Sequence, residues 1–483
     1  ANPSPLLSRL LYETNKVMFP VLYFMSTIAW CTAQRQNFLL IIVDDLRTSV
    51  GRYGDEKAYT PNIDQLAAGA AIFSQQALCA PSRNSFLTSR RPDTLQLYDF
   101  YSYWRTDIGN FTTLPQHLKD NGYVTKSIGK VFHPGVSSNY SDDSPYSWTE
   151  VPFHPLTERY KDTPVCRANF RTLPVCPVNI SSMPNKTLPD IEILEEAKRF
   201  VQGHARDSDP FFLAVGFQKP HIPFKYPEKY LSKFTIKASP YKWPENVSSV
   251  AYNPWIDLRR REDIEELNLK FPWEKIPSTV NTPLIIQSYY AAVTYIDDLI
   301  GELINQLEVS SIIQNTTIIL MSDHGWSLGE NAVWAKYSNF DVALRVPLII
   351  SIPGLTFKKP KDLNIGSPKF EAKKQAKNAA LKGEKAAFGQ YPRPSIKPSM
   401  HPNSDEPRFK EIKAMGYTLR TNRYRYTAWL PFSPETKAPD WDTIIAEELY
   451  DHTIDSTENR NLAVFVVIYL RIYRFLTIYI YLI

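Results

Sequence analysis

Residues 38–45 read F-L-L-I-I-V-D-D. Six apolar residues in unbroken succession predict a strand over Phe38 to Val43 that is buried on both faces, because a strand with one wet face would alternate. Two acids follow the strand at once. In open parallel α/β sheets, ligands bind beyond the carboxyl ends of the strands. Asp44 and Asp45 are therefore candidate functional residues as soon as the strand is read.

The flanking sequence alternates between strand-like and helix-like segments. Thr60-Pro61 opens a helix, with threonine as cap and proline at the first helical position. Pro115 to Asn121 reads as a helix stopped by Gly122, and Tyr123 to Ile128 as a strand. A helix over Asp190 to Val201 precedes a short apolar strand, Phe211 to Gly216. Helical periodicity runs from Leu284 to Leu307, Thr317 to Met321 is another buried strand, and Pro347 to Pro353 gives one more. This pattern predicts an α/β fold, a large mixed, mostly parallel sheet flanked by helices. Met415 to Leu430 alternates strongly and predicts an antiparallel hairpin, hence a smaller C-terminal α+β subdomain built on an antiparallel sheet.

At 483 residues the chain exceeds what one hydrophobic core usually organises. The expected division is a signal or upstream segment over 1–33, a main domain over 34–354, an atypical lysine-rich linker over 355–388, a C-terminal subdomain over 389–463 and an apolar tail over 464–483. The net charge of +5 permits an anionic substrate without demanding one, and no basic arm suggests a nucleic-acid partner. The tail carries Arg471 and Arg474 near its middle, so it is expected to be foreign to the native fold rather than a membrane anchor.

Val17 to Trp30 is apolar and almost uncharged, follows Lys16 and precedes small residues, as in a secretory signal. N-x-S/T sequons begin at Asn110, Asn139, Asn179, Asn185, Asn246 and Asn315. Together these predict the secretory route, ending outside the cell or in the lysosome. Cys31 would leave with the signal. Cys166 and Cys176 lie ten apart and can close a disulfide. Cys79 then stands alone, and an unpaired cysteine on an oxidising route calls for an explanation.

Polar residues collect behind four strands. Asp44 and Asp45 follow the first, Lys130 and His133 follow Ile128, Lys219 and His221 follow Gly216, and Asp323 and His324 follow Met321. Three ionised carboxylates on one rim repel each other without a cation. A hard divalent ion suits oxygen ligands, and calcium fits such a cluster, with His324 the less usual ligand. Lys130, Lys219 and Lys336 can hold the nonbridging oxygens of a sulfate or phosphate ester, while His133 and His221 can move protons.

Cys79 to Arg83 reads C-A-P-S-R and is followed by N-S-F-L-T-S-R-R-P. This resembles the signature of the sulfatases, within the alkaline-phosphatase-like superfamily. I-I-V-D-D-L-R, G-K-V-F-H-P-G, K-P-H-I-P-F, S-D-H-G-W-S-L-G-E, W-A-K-Y-S-N-F-D, Q-Y-P-R-P-S and M-G-Y-T-L-R-T extend the likeness over about 36–353 and 390–463. They resemble the branch of the family acting on the 2-sulfate of iduronate in heparan sulfate and dermatan sulfate. The resemblance implies that a formylglycine-generating enzyme oxidises Cys79 to formylglycine, whose hydrate attacks sulfur. It implies Ca2+ on Asp44, Asp45, Asp323, His324 and the oxidised Cys79. It further implies that Arg83 steadies the hydrate, Lys130 and Lys336 hold the sulfate, His133 exchanges protons with the hydrate, and His221 protonates the leaving alcohol. Lys219 and Trp326 are expected at the sugar. Residues 355–385 depart from the family pattern, which carries a sheet-packing helix there. Two alternatives stay open: hydrolysis of another sulfate ester, and an inactive glycan-binding relative.

Overall fold

The structure, a computed structural model, describes residues 35–66, 69–166, 173–207, 209–236, 244–269, 282–356, 386–401 and 403–465. The expected signal segment, most of the lysine-rich linker and nearly all of the apolar tail lie outside the described residues. No helix among the described residues is long and apolar enough to cross a membrane.

The strands in chain order are β1 (Asn37–Val43), β2 (Gly69–Phe73), β3 (Val124–Gly129), β4 (Val175–Val178), β5 (Phe211–Phe217), β6 (Phe224–Pro227), β7 (Thr316–Ser322), β8 (Ser327–Leu328), β9 (Trp334–Ala335), β10 (Arg345–Ser351), β11 (Ala386–Arg393), β12 (Ala414–Thr421), β13 (Tyr424–Ser433), β14 (Ala438–Pro439) and β15 (Ala446–Asp451). The main sheet has the order β2-β10-β7-β1-β5-β3. Parallel pairing joins β7 to β1, β1 to β5 and β5 to β3. The strand opening the sequence argument therefore sits inside the sheet. Its period of two explains the continuous apolar run: Leu39, Ile41 and Val43 enter one core, and Leu40 and Ile42 enter the core on the opposite face.

Helices Pro189–His204 and Thr282–Val309 cover the first face. Ile193, Ala197 and Val201 of one, and Tyr289, Ile296 and Leu303 of the other, join the core of Leu39 and Ile41. The helix expected after Thr60 is Pro61–Leu66, and it is tied down by Asp297, whose carboxylate accepts hydrogen bonds from the Asn62 and Ile63 amides at 3.1 and 2.8 Å. The helix expected from Pro115 begins one residue earlier, at Leu114, because the Thr113 hydroxyl caps it by accepting from the Gln116 amide.

Three features differ from the sequence reading. The strand expected over 347–353 runs antiparallel to β7 and to β2. Apolar pattern identifies a strand but carries no direction, and here the chain returns from β7 through the short β8–β9 pair rather than a covering helix. Strand β2, G-A-A-I-F, has too little alternation to stand out. The helix Cys79–Thr88 was not foreseen either, because its apolar residues, such as Ala80, Phe86 and Leu87, form no stripe among its polar ones, and it is nonetheless buried along nearly its whole length.

The second sheet is antiparallel, with order β11-β12-β13-β14 and β15 paired to β13. The expected hairpin is β12–β13, with Met415 facing Leu430 and Tyr417 facing Ala428. Cys166 and Cys176 are disulfide-bonded. Of the six sequon asparagines five are exposed and Asn315 is partly buried.

Candidate active site

Four strand ends converge. Neighbouring β7, β1, β5 and β3 end in Asp323, Asp44, Lys219 and Lys130. Close approach of β3 and β5 sets the position of Lys130. Its amide donates to the Gly216 carbonyl at 2.9 Å, and a Cβ at Gly216 would fall 2.0 Å from the Lys130 carbonyl oxygen. Only glycine fits there. We expect Gly216→Ala to lower stability by about 1–3 kcal/mol through overpacking. Displacing Lys130 by about 1 Å should cost on the order of 10²-fold in turnover. Thermal melting and kcat/KM together check this.

Cys79 begins the helix Cys79–Thr88 at the focus of the group, with 2% exposure. Its Sγ lies 3.3 Å from His324 Nε2, 3.3 Å from Lys336 Nζ, 3.5 Å from Lys130 Nζ and 3.7 Å from Asp44 Oδ1. Arg83, one turn along the same helix, is fully buried. Its Nη2 donates to Asp44 Oδ1 and its Nε to Asp323 Oδ2, both at 2.9 Å. Asp323 Oδ1 in turn accepts the amides of Asp45 and His324 at 3.1 and 2.9 Å. Asp45 turns the chain with φ 61, a left-handed conformation that aspartate tolerates better than most residues.

Lys336 comes from elsewhere. It follows β9 and is flanked by Ala335 and Tyr337 at φ 64 and 67. Two left-handed non-glycine residues around one functional side chain store backbone strain, offset by the 3.0 Å ion pair of Lys336 with Asp45.

The carboxyls of Asp44, Asp45 and Asp323 face the three cations Arg83, Lys130 and Lys336. Burial opposes the Asp44 charge, but Lys130 and Arg83 overcome it and hold the carboxyl well below its usual range. Burial pushes Asp45 up to about 7 against the pull of Lys336, with Asp44 adding to the rise. Asp45 Oδ2 is buried and has no hydrogen-bond partner. That orphaned oxygen is what a bound cation would satisfy. Ligand atoms of Asp44, Cys79, Asp323 and His324, and a second set of Asp44, Asp45, Cys79 and His221, each lie within 4.8 Å of one another. The donor set therefore fits a hard divalent cation.

Burial raises the Cys79 thiol, despite Lys130 and Lys336. Burial and then Lys130 lower His133; burial and then Lys336 lower His221, so both are neutral in this environment. His133 packs on Phe100 with ring centroids 4.4 Å apart, and its Nδ1 has no partner. His221 Nε2 stands 4.0 Å from Asp45 Oδ2, while Nδ1 contacts the Ile222 carbonyl oxygen at 2.6 Å. Lys219 Nζ donates to the His221 carbonyl at 2.5 Å and so braces that histidine.

A cavity of about 760 Å³ opens above this group, lined by Asp44, Cys79, Lys130, His133, Lys219, His221 and Lys336 among others. Trp326, expected at the sugar, is fully buried and off the cavity wall, 5.8 Å from Lys336 Nζ. It underpins the lysine instead. The outer lining, which includes His154, Asp257, Arg260, Asp405 and Glu406, was not expected from sequence. Asp257 and Arg260 belong to the one-turn helix Ile256–Arg259 and its cap, and the others sit in irregular segments, too short or patternless to be marked.

A family model described as "Sulfatase" matches residues 36–374. The chain is 42% identical to iduronate 2-sulfatase of Homo sapiens, over 90% of this chain and 92% of that protein. A solved structure of a protein in complex with its substrate, D-glucosamine-2-N,6-O-disulfate, superposes with a TM-score of 0.59 at 19% identity, covering 89% of this chain and 93% of the other. A phosphonate monoester hydrolase of Agrobacterium radiobacter superposes equally well, with a TM-score of 0.59 at 18% identity, covering 89% and 92%. The last two likenesses are of fold alone, and one fold accommodates different esters.

Proposed function

This chain belongs to the sulfatase family and is a sulfuric ester hydrolase, and on that premise we propose that it removes the 2-sulfate of L-iduronate units in heparan sulfate and dermatan sulfate. The observation that carries the chemistry is the meeting of Cys79 Sγ with Lys130, Lys336, His324 and Asp44 within 3.7 Å. The choice of sugar rests on the 42% identity to iduronate 2-sulfatase.

The family uses a formylglycine made from the signature cysteine, which supplies the attacking oxygen as its hydrate, and a divalent metal, which supplies positive charge beside it. Asp44, Asp45, Asp323 and His324 would hold that metal, and calcium is the ion proposed. Arg83 fixes two of the three carboxylates and keeps the oxygens at position 79 in line. Lys130 and Lys336 grip the nonbridging oxygens of the ester, where charge develops as the sulfur–oxygen bond breaks. His133, neutral and with a free Nδ1, takes a proton from the residue at position 79. His221, on the cavity wall, gives a proton to the departing sugar oxygen from its imidazolium form, which the negative charge of the bound sulfate ester favours over the neutral ring. Lys219 holds His221 in place for that transfer.

The Cys166–Cys176 disulfide and five exposed sequons support passage through the secretory pathway to the lysosome or the exterior, with glycans on Asn110, Asn139, Asn179, Asn185 and Asn246 and a sixth, partly buried site at Asn315. A formylglycine-generating enzyme is the maturation partner there, and a sulfated glycosaminoglycan is the substrate.

The test compares sulfate release from an iduronate-2-sulfate disaccharide and from a simple aryl sulfate, using secreted protein whose position 79 has been read by peptide mass spectrometry. The expected result is aldehyde at 79 and a kcat/KM at least about 10²-fold higher for the disaccharide. Preference for the aryl ester would move the assignment to another sulfate. Tight disaccharide binding without release, on protein carrying the aldehyde, would make the chain a glycan-binding relative.

A further inference from the structure

The helix Pro189–His204 follows Leu188, which offers no side-chain cap. An acid in the first turn of a helix usually serves that helix, through its free amides or its dipole. Asp190 in this first turn is 1% exposed, and its Oδ1 accepts the Gln218 amide beyond β5, at 2.6 Å. Gln218 opens the turn that carries His221. Its carbonyl accepts the His221 amide at 2.9 Å, and Lys219 Nζ donates to the His221 carbonyl at 2.5 Å. Both peptide groups of His221 are therefore held from the segment that Asp190 anchors. Lys219 is 7% exposed, and burial works against its charge; Asp190 leads the carboxylates that counter this, ahead of Glu158. One buried carboxylate thus fixes the turn by a hydrogen bond and supports the charge of the lysine that braces it. Asp190 is not among the residues lining the cavity, so it acts only through these neighbours.

Resting on the sulfatase reading above, we infer that Asp190 is a positioning residue for the leaving-group step: through Gln218 and Lys219 it sets the point from which His221 delivers its proton to the departing sugar oxygen. As the sulfur–oxygen bond breaks, its electron pair goes to that oxygen and the His221 proton neutralises it. A sugar alcohol leaves poorly without the proton, whereas a nitrophenolate leaves as a stable anion. Misplacing His221 therefore harms the two kinds of ester unequally. A carboxylate needed only to pack the helix on the sheet would, when lost, harm both alike.

The experiment compares the iduronate-2-sulfate disaccharide with nitrophenyl sulfate. Asp190→Asn keeps an oxygen for the Gln218 amide and removes the charge that faces Lys219. Burial pushes Asp190 up to about 6, so the assays run at about pH 7.5, where the native carboxyl is ionised. On the disaccharide kcat/KM should fall by about tenfold or more, through kcat rather than KM, while on nitrophenyl sulfate it stays within about twofold. Lys219→Met interrupts the same link without altering the helix and should split the two esters in the same sense. In His221→Asn protein, which has no acid to place, adding Asp190→Asn should lower disaccharide turnover by less than about twofold. No loss on the disaccharide, equal losses on the two esters, or a tenfold loss retained in the His221→Asn background overturns the role of Asp190 and leaves the sulfatase reading standing. If His221→Asn alone slows the disaccharide by less than about tenfold, the leaving-group assignment of His221 falls and the role of Asp190 falls with it.

Discussion

Cys79→Ala protein should fold and bind substrate but release sulfate slower than the parent by on the order of 10⁴-fold or more. The size follows from removing the nucleophile, whose loss in hydrolases with a covalent step leaves only binding and electrostatic stabilisation. The fold should survive. Cys79 makes no disulfide, and alanine keeps the helix Cys79–Thr88 that positions Arg83. Lys130 and Lys336 lose a neighbour but keep their carboxylate partners Asp44 and Asp45. The stability change should stay under about 2 kcal/mol. Sulfate release measured beside circular dichroism and thermal melting checks both halves. Turnover within tenfold of the parent would remove position 79 from the chemistry.

Arg83→Met should have the largest effect on the fold. The guanidinium is completely buried and bridges Asp44 and Asp323, themselves 1% exposed. It also donates to the Val131 carbonyl at 3.1 Å, tying the Cys79 helix to the end of β3. Methionine fills much of the volume but leaves buried Asp323 without its arginine and Asp44 with Lys130 alone. Breaking a buried pair in this way costs about 3–5 kcal/mol. No discount for solvent screening applies, because neither partner is exposed. A divalent ion on the same carboxylates would recover part of the loss, by mass action on the folded state. The drop in melting temperature should therefore be larger in chelator than in excess calcium. Equal drops in both conditions would mean that the ion does not sit on Asp44 and Asp323.

Much of the centre was legible because its residues follow patterned strands. Phe38 to Val43 announced its own burial, and Asp44 and Asp45 inherited significance from their place behind it. Lys130, Lys219, His221, Asp323 and His324 were found in the same way. Arg83 came from a motif, since the helix carrying it has no amphipathic stripe to read. Lys336 lies in a strained turn that periodicity does not mark. Trp326 was misplaced because an aromatic beside a site motif can face the ligand or the core, and only packing decides. Asp405 and Glu406 were not found. They share the cavity with Asp44 across some 360 positions of chain, and nothing local to them shows it.

The amino-acid sequence by itself determined which segments are strands, which residues terminate them and which chemistry those residues can perform, because side-chain period and functional groups are local properties. Tertiary structure alone decided the direction of β10, the burial of the helix that begins at Cys79 and the meeting of Asp44, Cys79, Lys130, His324 and Lys336 around one point. Those depend on strand order and on distances between residues far apart in the chain, which are set by how the two faces of the sheet are covered.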